Sequence, residues 1–539
     1  MLSNLEASII NLRHHLLTKH SGRDALVSVS LANLCLLRVW TPLLLPNSSE
    51  YFAKTAYDRI DYISILLSLA LLASLFFSFS RVARSCEKGW LRILAQVTFL
   101  LCLLPLFDFV RRYLGLSYSD FLRFGFPGLI IGASGFGVLI FLLRDQLSRY
   151  AYAVLLYTIP FAALTSSQAL WHVANRDWPH PVTVALEKRA EPSDKPRVVW
   201  IIFDEWDQQV TFERRPTSLQ LPNIDAFARS SFLATNAYPP GGGTLVSIPS
   251  LLTGSLMAEV RPESYTQLRI RAVGEERLSD FRQHASILSP SSTPKSRLAV
   301  AGWYHPYSRL IPAGANIAVH WENSLQLQGF RAEGFCATIM AQLSYALMPY
   351  LIQVESPGMY GRIHAFAVTA VCDPNIDVIF LHYPIPHLPG IYESSSGKVG
   401  LQLKREYESH FANLALVDRT LGEILAALDG VKLRNRTAII LSSDHWWRAS
   451  SLVAGERSHR VPFLIQLPEK RERRVFDLPI NTVRTLGMVQ EILRGSVQNY
   501  DQLLAYFGNA DRESNFRYDS EGYIHVNKSR LAEKADASH

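Results

Sequence analysis

Two kinds of hydrophobic run divide this chain. Before about residue 172 they have membrane length, and after residue 197 they shrink to short blocks set between polar, helically spaced stretches. A helix crosses the hydrocarbon core of a bilayer with roughly 18–21 apolar residues. Runs of that kind lie at Leu26–Leu45, Tyr62–Phe79, Trp90–Val110, Gly125–Leu143 and Tyr150–Trp171. They predict an N-terminal all-α transmembrane bundle of about five helices over residues 26–172, preceded by a cytoplasmic segment, 1–25. The first run is too long for a signal peptide and lacks a small-residue cleavage site, so it reads as an anchor. Residues 173–196 are polar and carry Pro179, Pro181, Pro192 and Pro196, the pattern of a linker.

From residue 197 the pattern is that of an α/β sandwich. Arg197–Phe203, Asp377–Leu381, Thr437–Leu441 and Pro462–Gln466 read as buried parallel strands. Between them Tyr407–Leu428 repeats leucines at helical spacing. This C-terminal domain is expected to run from 197 to 510, with a polar tail at 511–539.

Charge orients the membrane half. With the N-terminus inside, the cytoplasmic loops hold Arg13, Lys19, Arg23, Arg81, Arg84, Lys88, Arg92, Arg144 and Arg149, and the other side holds a smaller set. Positive residues stay inside, so everything after Trp171 is expected outside the cytoplasm. Arg38, within the first span, is expected to reach the outer interface or a lipid headgroup. A net charge of +7 over 539 residues is no nucleic-acid footprint. Five cysteines exclude a disulfide scaffold. Cys336 and Cys372 are either one disulfide or two inert thiols.

In α/β sheets, ligands gather beyond the C-terminal ends of the strands. Candidate chemistry stands there in this sequence. Asp204 and Glu205 follow the first strand, His382 and His387 the second, and Ser443, Asp444 and His445 the third. His459 precedes the fourth. Carboxylates and imidazoles without thiolates suit zinc or manganese. Gly241-Gly242-Gly243 form a turn, and Thr244 opens a helix expected to reach about Leu252. A hydroxyl there meets the positive end of the helix, where a phosphate is also held.

Several ordered motifs carry a resemblance. They are the acidic end of the first strand, Leu221–Tyr238 (LPNIDAFARSSFLATNAY), the block closing on Leu251-Leu252-Thr253-Gly254, Asn413–Leu425 (NLALVDRTLGEIL), Ser443-Asp444-His445, and Arg460-Val461-Pro462. Together they resemble the alkaline phosphatase and sulfatase superfamily, particularly its membrane-anchored phosphoethanolamine and phosphoglycerol transferases. Sulfatases place Cys or Ser where Thr244 stands, with Pro and Arg two and four residues later. Here those positions are Val246 and Ile248, which speaks against an arylsulfatase. The Gly that usually follows the Asp-His pair is replaced by Trp446-Trp447-Arg448, rings that either grip an acceptor sugar or pack.

The resemblance implies that Thr244 is the nucleophile and that Asp204, Glu205, Asp444 and His445 hold a metal. His387 and His459, and less so His382, would serve a second metal or the substrate oxygens. It implies one or two zinc or manganese ions, a phospholipid donor, a glycan or lipid acceptor, and no nucleic acid. The expected setting is a bacterial-type inner membrane with the catalytic domain on the periplasmic side. The leading expectation is a transferase that moves a phospho-substituted headgroup through a threonine intermediate. A membrane-anchored phosphodiesterase comes second, and a non-catalytic lipid- or glycan-binding envelope protein third. His305, after Gly302-Trp303-Tyr304, is expected to be structural.

Overall fold

The computed structural model describes residues 21–44, 59–85, 89–104, 114, 125–175, 196–264, 267–289, 296–323, 335–347, 356–402, 404–468, 472–508, 517–519 and 522–525. Of the expected linker at 173–196, residues 173–175 end the helix Ile159–Asn175 and residues 176–195 lie outside the described residues, as does most of the polar tail. The chain forms two compact units. One comprises residues 1–51, 57–178 and 325–352, and the other 52–56, 179–324 and 353–539.

The first unit is helical. Its described helices cover residues 21–35, Leu37–Leu44, Arg59–Ser85, Gly89–Leu101, Gly125–Tyr157 and Ile159–Asn175. Two helices, Arg59–Val82 and Ile130–Tyr157, are long and apolar enough to cross a membrane. The other three expected spans are not established at that length among the described residues. The loop expected at 144–149 is instead interior to the Gly125–Tyr157 helix. Arg-Asp-Gln-Leu-Ser-Arg contains no Gly or Pro to end a helix, and the break comes at Thr158, two residues before Pro160.

An apolar helix from far along the chain, Phe335–Leu347, belongs to this same unit. It packs on Arg59–Ser85, and Gln342 fixes the contact. Its Nε2 donates to the Asp61 carbonyl at 3.0 Å, and its Oε1 accepts from Ser68 Oγ at 3.1 Å. Arg38 is buried, its guanidinium 5.7 Å from the centre of the Tyr345 ring. It therefore does not snorkel to an interface as expected, because this returning helix covers it. Cys336 and Cys372 are both free thiols.

The second unit is built on one eight-stranded sheet. Its strands are β1 (Arg197–Asp204), β2 (Phe232–Ala234), β3 (Leu298–Tyr304), β4 (Ile317–Asn323), β5 (Val378–Pro386), β6 (Thr437–Ser443), β7 (Phe463–Gln466) and β8 (Arg474–Phe476). Their order is β8-β2-β7-β6-β1-β5-β3-β4. The α/β architecture holds, with one correction: β7 runs antiparallel to both β6 and β2. A short apolar run reports burial on both faces but not direction. The connection from β6 to β7 contains only the four-residue helix Ser451–Ala454, too little for the usual helical crossover between parallel strands. All eight residues of β1 are buried, and Trp200 packs edge-on to Phe380 of β5 at 5.2 Å. Ile248, Leu251 and Leu252 of the helix Thr244–Thr253 join the same core. Each such side chain contributes about 1.5–3 kcal/mol by leaving water.

Most of the motifs that carried the resemblance prove to be fasteners around this sheet. Asp418, on the helix Glu406–Gly430, caps the helix Pro222–Ala228, accepting from the Ile224 amide at 2.8 Å and from Asn223 Nδ2 at 2.9 Å. Gly422 is needed because a Cβ there would lie 2.8 Å from the Asn223 side chain. Asn413 orders the loop after β5, donating to the carbonyls of His387 and Pro389 at 2.9 Å and accepting from the Ile391 amide at 2.9 Å. Arg460 bonds the Thr235 carbonyl at 3.0 Å and pairs with Glu213 through both Nη atoms at 2.7 Å.

Candidate active site at the strand ends

Parallel pairing sets β1 and β6 in register, with Phe203 opposite Ser443. The next residue of each strand, Asp204 and Asp444, is therefore delivered to the same end of the sheet. Ser443 locks the two ends together: its hydroxyl donates to the Phe203 carbonyl at 2.6 Å and accepts from the Trp206 amide at 2.9 Å. Asp204, Asp444 and His445 are almost wholly buried, and each offers a ligand atom within 4.8 Å of the others.

Thr244 enters this cluster from the first turn of its helix. Its hydroxyl lies 2.7 Å from Asp444 Oδ2, 3.4 Å from Asp204 Oδ2 and 3.5 Å from His445 Nε2. The glycines before it permit the close approach. A Cβ on Gly242 would meet Trp446 Cη2 at 2.9 Å, and one on Gly243 would meet Arg448 Nη2 at 3.3 Å. Thr244 is the first residue of its helix, so its hydroxyl stands at the positive end of the helix dipole.

The electrostatics of the cluster call for a proton or a cation. Burial first, and then the carboxylates of Asp444 and Glu205, hold the Asp204 carboxyl well above the ordinary carboxylate range. Asp204 Oδ1 is buried and accepts no hydrogen bond. Burial, helped by the positive charge of Arg448, lowers His445 to about 3, so its ring is neutral. Its Nδ1 faces the Trp446 carbonyl at 2.9 Å, which fixes the proton there and leaves the Nε2 lone pair turned 3.3 Å from Asp204 Oδ1. A lone pair and a carboxylate oxygen at that separation are held together by a shared proton or by a cation bound to both. The oxygen and imidazole donors suit a divalent metal and do not distinguish zinc from manganese.

The other expected site residues fall outside this group. The Glu205 side chain turns to Arg448, with Oε1 3.0 Å from Nη1. His382 lies opposite Ile202, four residues before the end of β5, and its Nδ1 faces the Tyr307 hydroxyl at 3.0 Å. Burial lowers its pKa to about 4. His387 donates its backbone amide to the Asp204 carbonyl at 3.1 Å, and its Nδ1 is 2.6 Å from the Leu388 carbonyl. The His459 ring lies 4.3 Å from that of Trp446. A second metal held by these histidines has no ligand cluster among the described residues.

Other residues border the site. Arg309 Nη2 donates to His305 Nδ1 at 2.9 Å, which turns the opposite ring nitrogen toward the Thr244 carbonyl at 3.4 Å. His305 is thus a buried structural residue, as expected, but it braces the backbone of Thr244. Tyr304 is buried at the end of β3, close enough for the Asp204 charge to raise its pKa further after burial has done so. Glu205, Tyr304 and His459 have φ of 63°, 74° and 56°. Non-glycine residues rarely adopt that conformation, and each costs about 1–2 kcal/mol. Three such residues around one cluster mark a site that the fold holds under strain.

One curated relative matches by sequence, the ulvan-active sulfatase of Formosa agariphila. It is 21% identical over 345 residues, which is 55% of this chain and 61% of the relative. This chain spans less than two thirds of that relative's length, and the likeness is to the sulfatase side of the alkaline phosphatase and sulfatase superfamily. No family model matches the chain. Solved structures of the superfamily resemble it at low scores. A superfamily protein from Vibrio parahaemolyticus is 16% identical with a TM-score of 0.36, covering 56% of this chain and 67% of the other. The phosphonate monoester hydrolase of Agrobacterium radiobacter is 12% identical with a TM-score of 0.37, covering 56% and 74%. Asp204, Asp444 and His445 are a group that could hold a metal ion.

Proposed function

We propose that this protein is a membrane-attached, metal-dependent phosphotransferase of the superfamily. It moves a phospho-substituted headgroup from a phospholipid to a glycan or lipid acceptor through Thr244. The observation that carries this reading is the Thr244 hydroxyl set 2.7 Å from Asp444 inside a buried cluster of metal-type donors. Threonine at this position favours phosphate over sulfate, because sulfatase chemistry uses an aldehyde hydrate made from Cys or Ser. Membrane-length apolar helices in the same chain support a lipid-borne donor and an envelope location.

Asp204, Asp444 and His445 would hold the divalent ion. When bound, it supplies positive charge that acidifies the threonine hydroxyl and neutralises the anionic ester. Thr244 Oγ1 forms a bond to phosphorus as the bond to the diacylglycerol oxygen breaks. The threonine proton, directed here at Asp444, ends on solvent, and the departing alkoxide takes a proton in return. In the second half an acceptor hydroxyl attacks phosphorus, gives up its proton, and Thr244 recovers one. The Trp446 carbonyl orients the His445 ring, which burial keeps neutral, and Ser443 and His305 hold the strand end and the nucleophile's backbone in place.

Water in place of the acceptor gives the second reading, a phosphodiesterase or related hydrolase. The sequence likeness to a sulfatase favours it specifically, and the site serves both equally. Incubating the purified protein with labelled phospholipid vesicles, with and without added glycan, separates the two. Label on the acceptor supports transfer, and free phospho-headgroup alone supports hydrolysis. Full activity of a folded Thr244→Ala variant in either assay would refute the threonine pathway.

A further inference from the structure

Where relatives carry a glycine after the Asp-His pair, this chain has Trp446-Trp447-Arg448. The two indoles are buried, at 5% and 1% exposure, so neither offers a face to a sugar. Trp447 lies flat on His410, the rings 4.0 Å apart and 7° from parallel. Trp446 is wedged between His459 at 4.3 Å and Tyr518 at 4.7 Å, over Gly242. These anchors fix the backbone from which Arg448 emerges with its side chain 55% exposed.

Arg448 is aimed as well as exposed. Its Nη1 bonds Glu205 Oε1 at 3.0 Å, and the Glu205 amide in turn donates to Asp444 Oδ1 at 3.3 Å. Its Nη2 comes within 3.3 Å of the Cβ position of Gly243, the residue before Thr244. The pair is half-buried, with the Glu205 side chain only 8% exposed, so it both neutralises a buried carboxylate and holds the guanidinium over the site. A guanidinium fixed through one nitrogen presents its remaining N–H groups in a plane that matches two oxygens of a tetrahedral anion.

We propose that Arg448 is a substrate-contacting residue of the Thr244 site, binding a peripheral oxygen of the phosphate group while Glu205 sets its angle. This rests on the reading of Thr244 as nucleophile. It also gives Glu205 a role other than metal ligand.

The test measures inorganic phosphate binding by calorimetry to the full-length, metal-loaded protein in detergent, in a Thr244→Ala background that prevents turnover. Arg448→Ala is expected to weaken binding about 10- to 100-fold in a protein that remains folded, and the double variant Glu205→Gln/Arg448→Ala, which leaves no buried carboxylate unpaired, should bind as weakly. Arg448→Lys should recover part of it, and added free guanidinium should restore affinity to Arg448→Ala. An affinity within twofold of the parent, or no rescue by guanidinium, would overturn the proposal, as would a parent that binds no phosphate at millimolar concentration. Loss of phosphate binding on Arg448→Ala, when the protein with Thr244 intact turns over no ester, would sink the proposed function and leave the arginine contact standing. Equal phosphate binding and equal ester turnover with and without Arg448 would do the reverse.

Discussion

Removing the metal should destabilise the second unit, and removing one carboxylate should cancel the effect. Asp204 and Asp444 meet at neighbouring strand ends with Glu205 close by, and Asp204 Oδ1 has no hydrogen-bond donor. A divalent ion present at 100 times its dissociation constant stabilises the folded state by about 2.7 kcal/mol. For a unit of this size that corresponds to a rise in melting temperature on the order of 4 °C. Chelation should remove it. Asp444→Asn keeps an oxygen that can accept from the amides of His445 and Glu205 while deleting one of the clustered charges. The metal-free variant should therefore melt above the metal-free parent and no longer respond to zinc or manganese. Scanning calorimetry of both proteins in detergent, with chelator and then with each metal, gives the six values needed. A parent whose melting temperature ignores chelation, together with a variant that melts below it, would refute the cation-site reasoning.

Two further outcomes follow from other parts of the molecule. Burial, against a bond from the Val210 amide, raises the Asp207 carboxyl from 3.8 to about 6. The folded state then holds a proton the unfolded chain has lost, so stability falls as pH rises from about 4 to 6, by about 3 kcal/mol in all. Asp207→Asn should gain stability at pH 7.5 and little at pH 4, and a gain equal at both values in melting experiments would contradict this. Gln342→Leu removes both bonds that tie the helix Phe335–Leu347 to the helix Arg59–Ser85, and should destabilise the helical unit by about 1–3 kcal/mol. Unchanged proteolysis of the detergent-solubilised variant at sites in residues 325–352 would show that the contact does not secure the segment.

How much of this was legible depended on where each signal lay in the chain. β1, β5 and β6 were readable because fully buried strands are continuous apolar runs, and their ends named Asp204, Asp444 and His445 directly. Thr244 was readable from the glycines and the helix it opens. The direction of β7 was not, since the register that makes it antiparallel depends on its partners. Phe335–Leu347 could be seen as apolar, but its packing against a helix more than 250 residues earlier is a tertiary fact. His382 was misplaced because a strand end was judged by sequence, and the sheet continues four residues past it to Pro386. Arg448 stood out only as a departure from the superfamily pattern. Its aim became visible once the two tryptophans were seen to be buried.

The most direct test of the central claim is peptide mass spectrometry of the protein purified from its own membranes, with metal analysis of the same sample. The account expects a phospho-headgroup adduct on the peptide carrying Thr244, together with a bound divalent ion. Ester turnover by a protein that carries no metal and whose label lies on a residue other than Thr244 would contradict it.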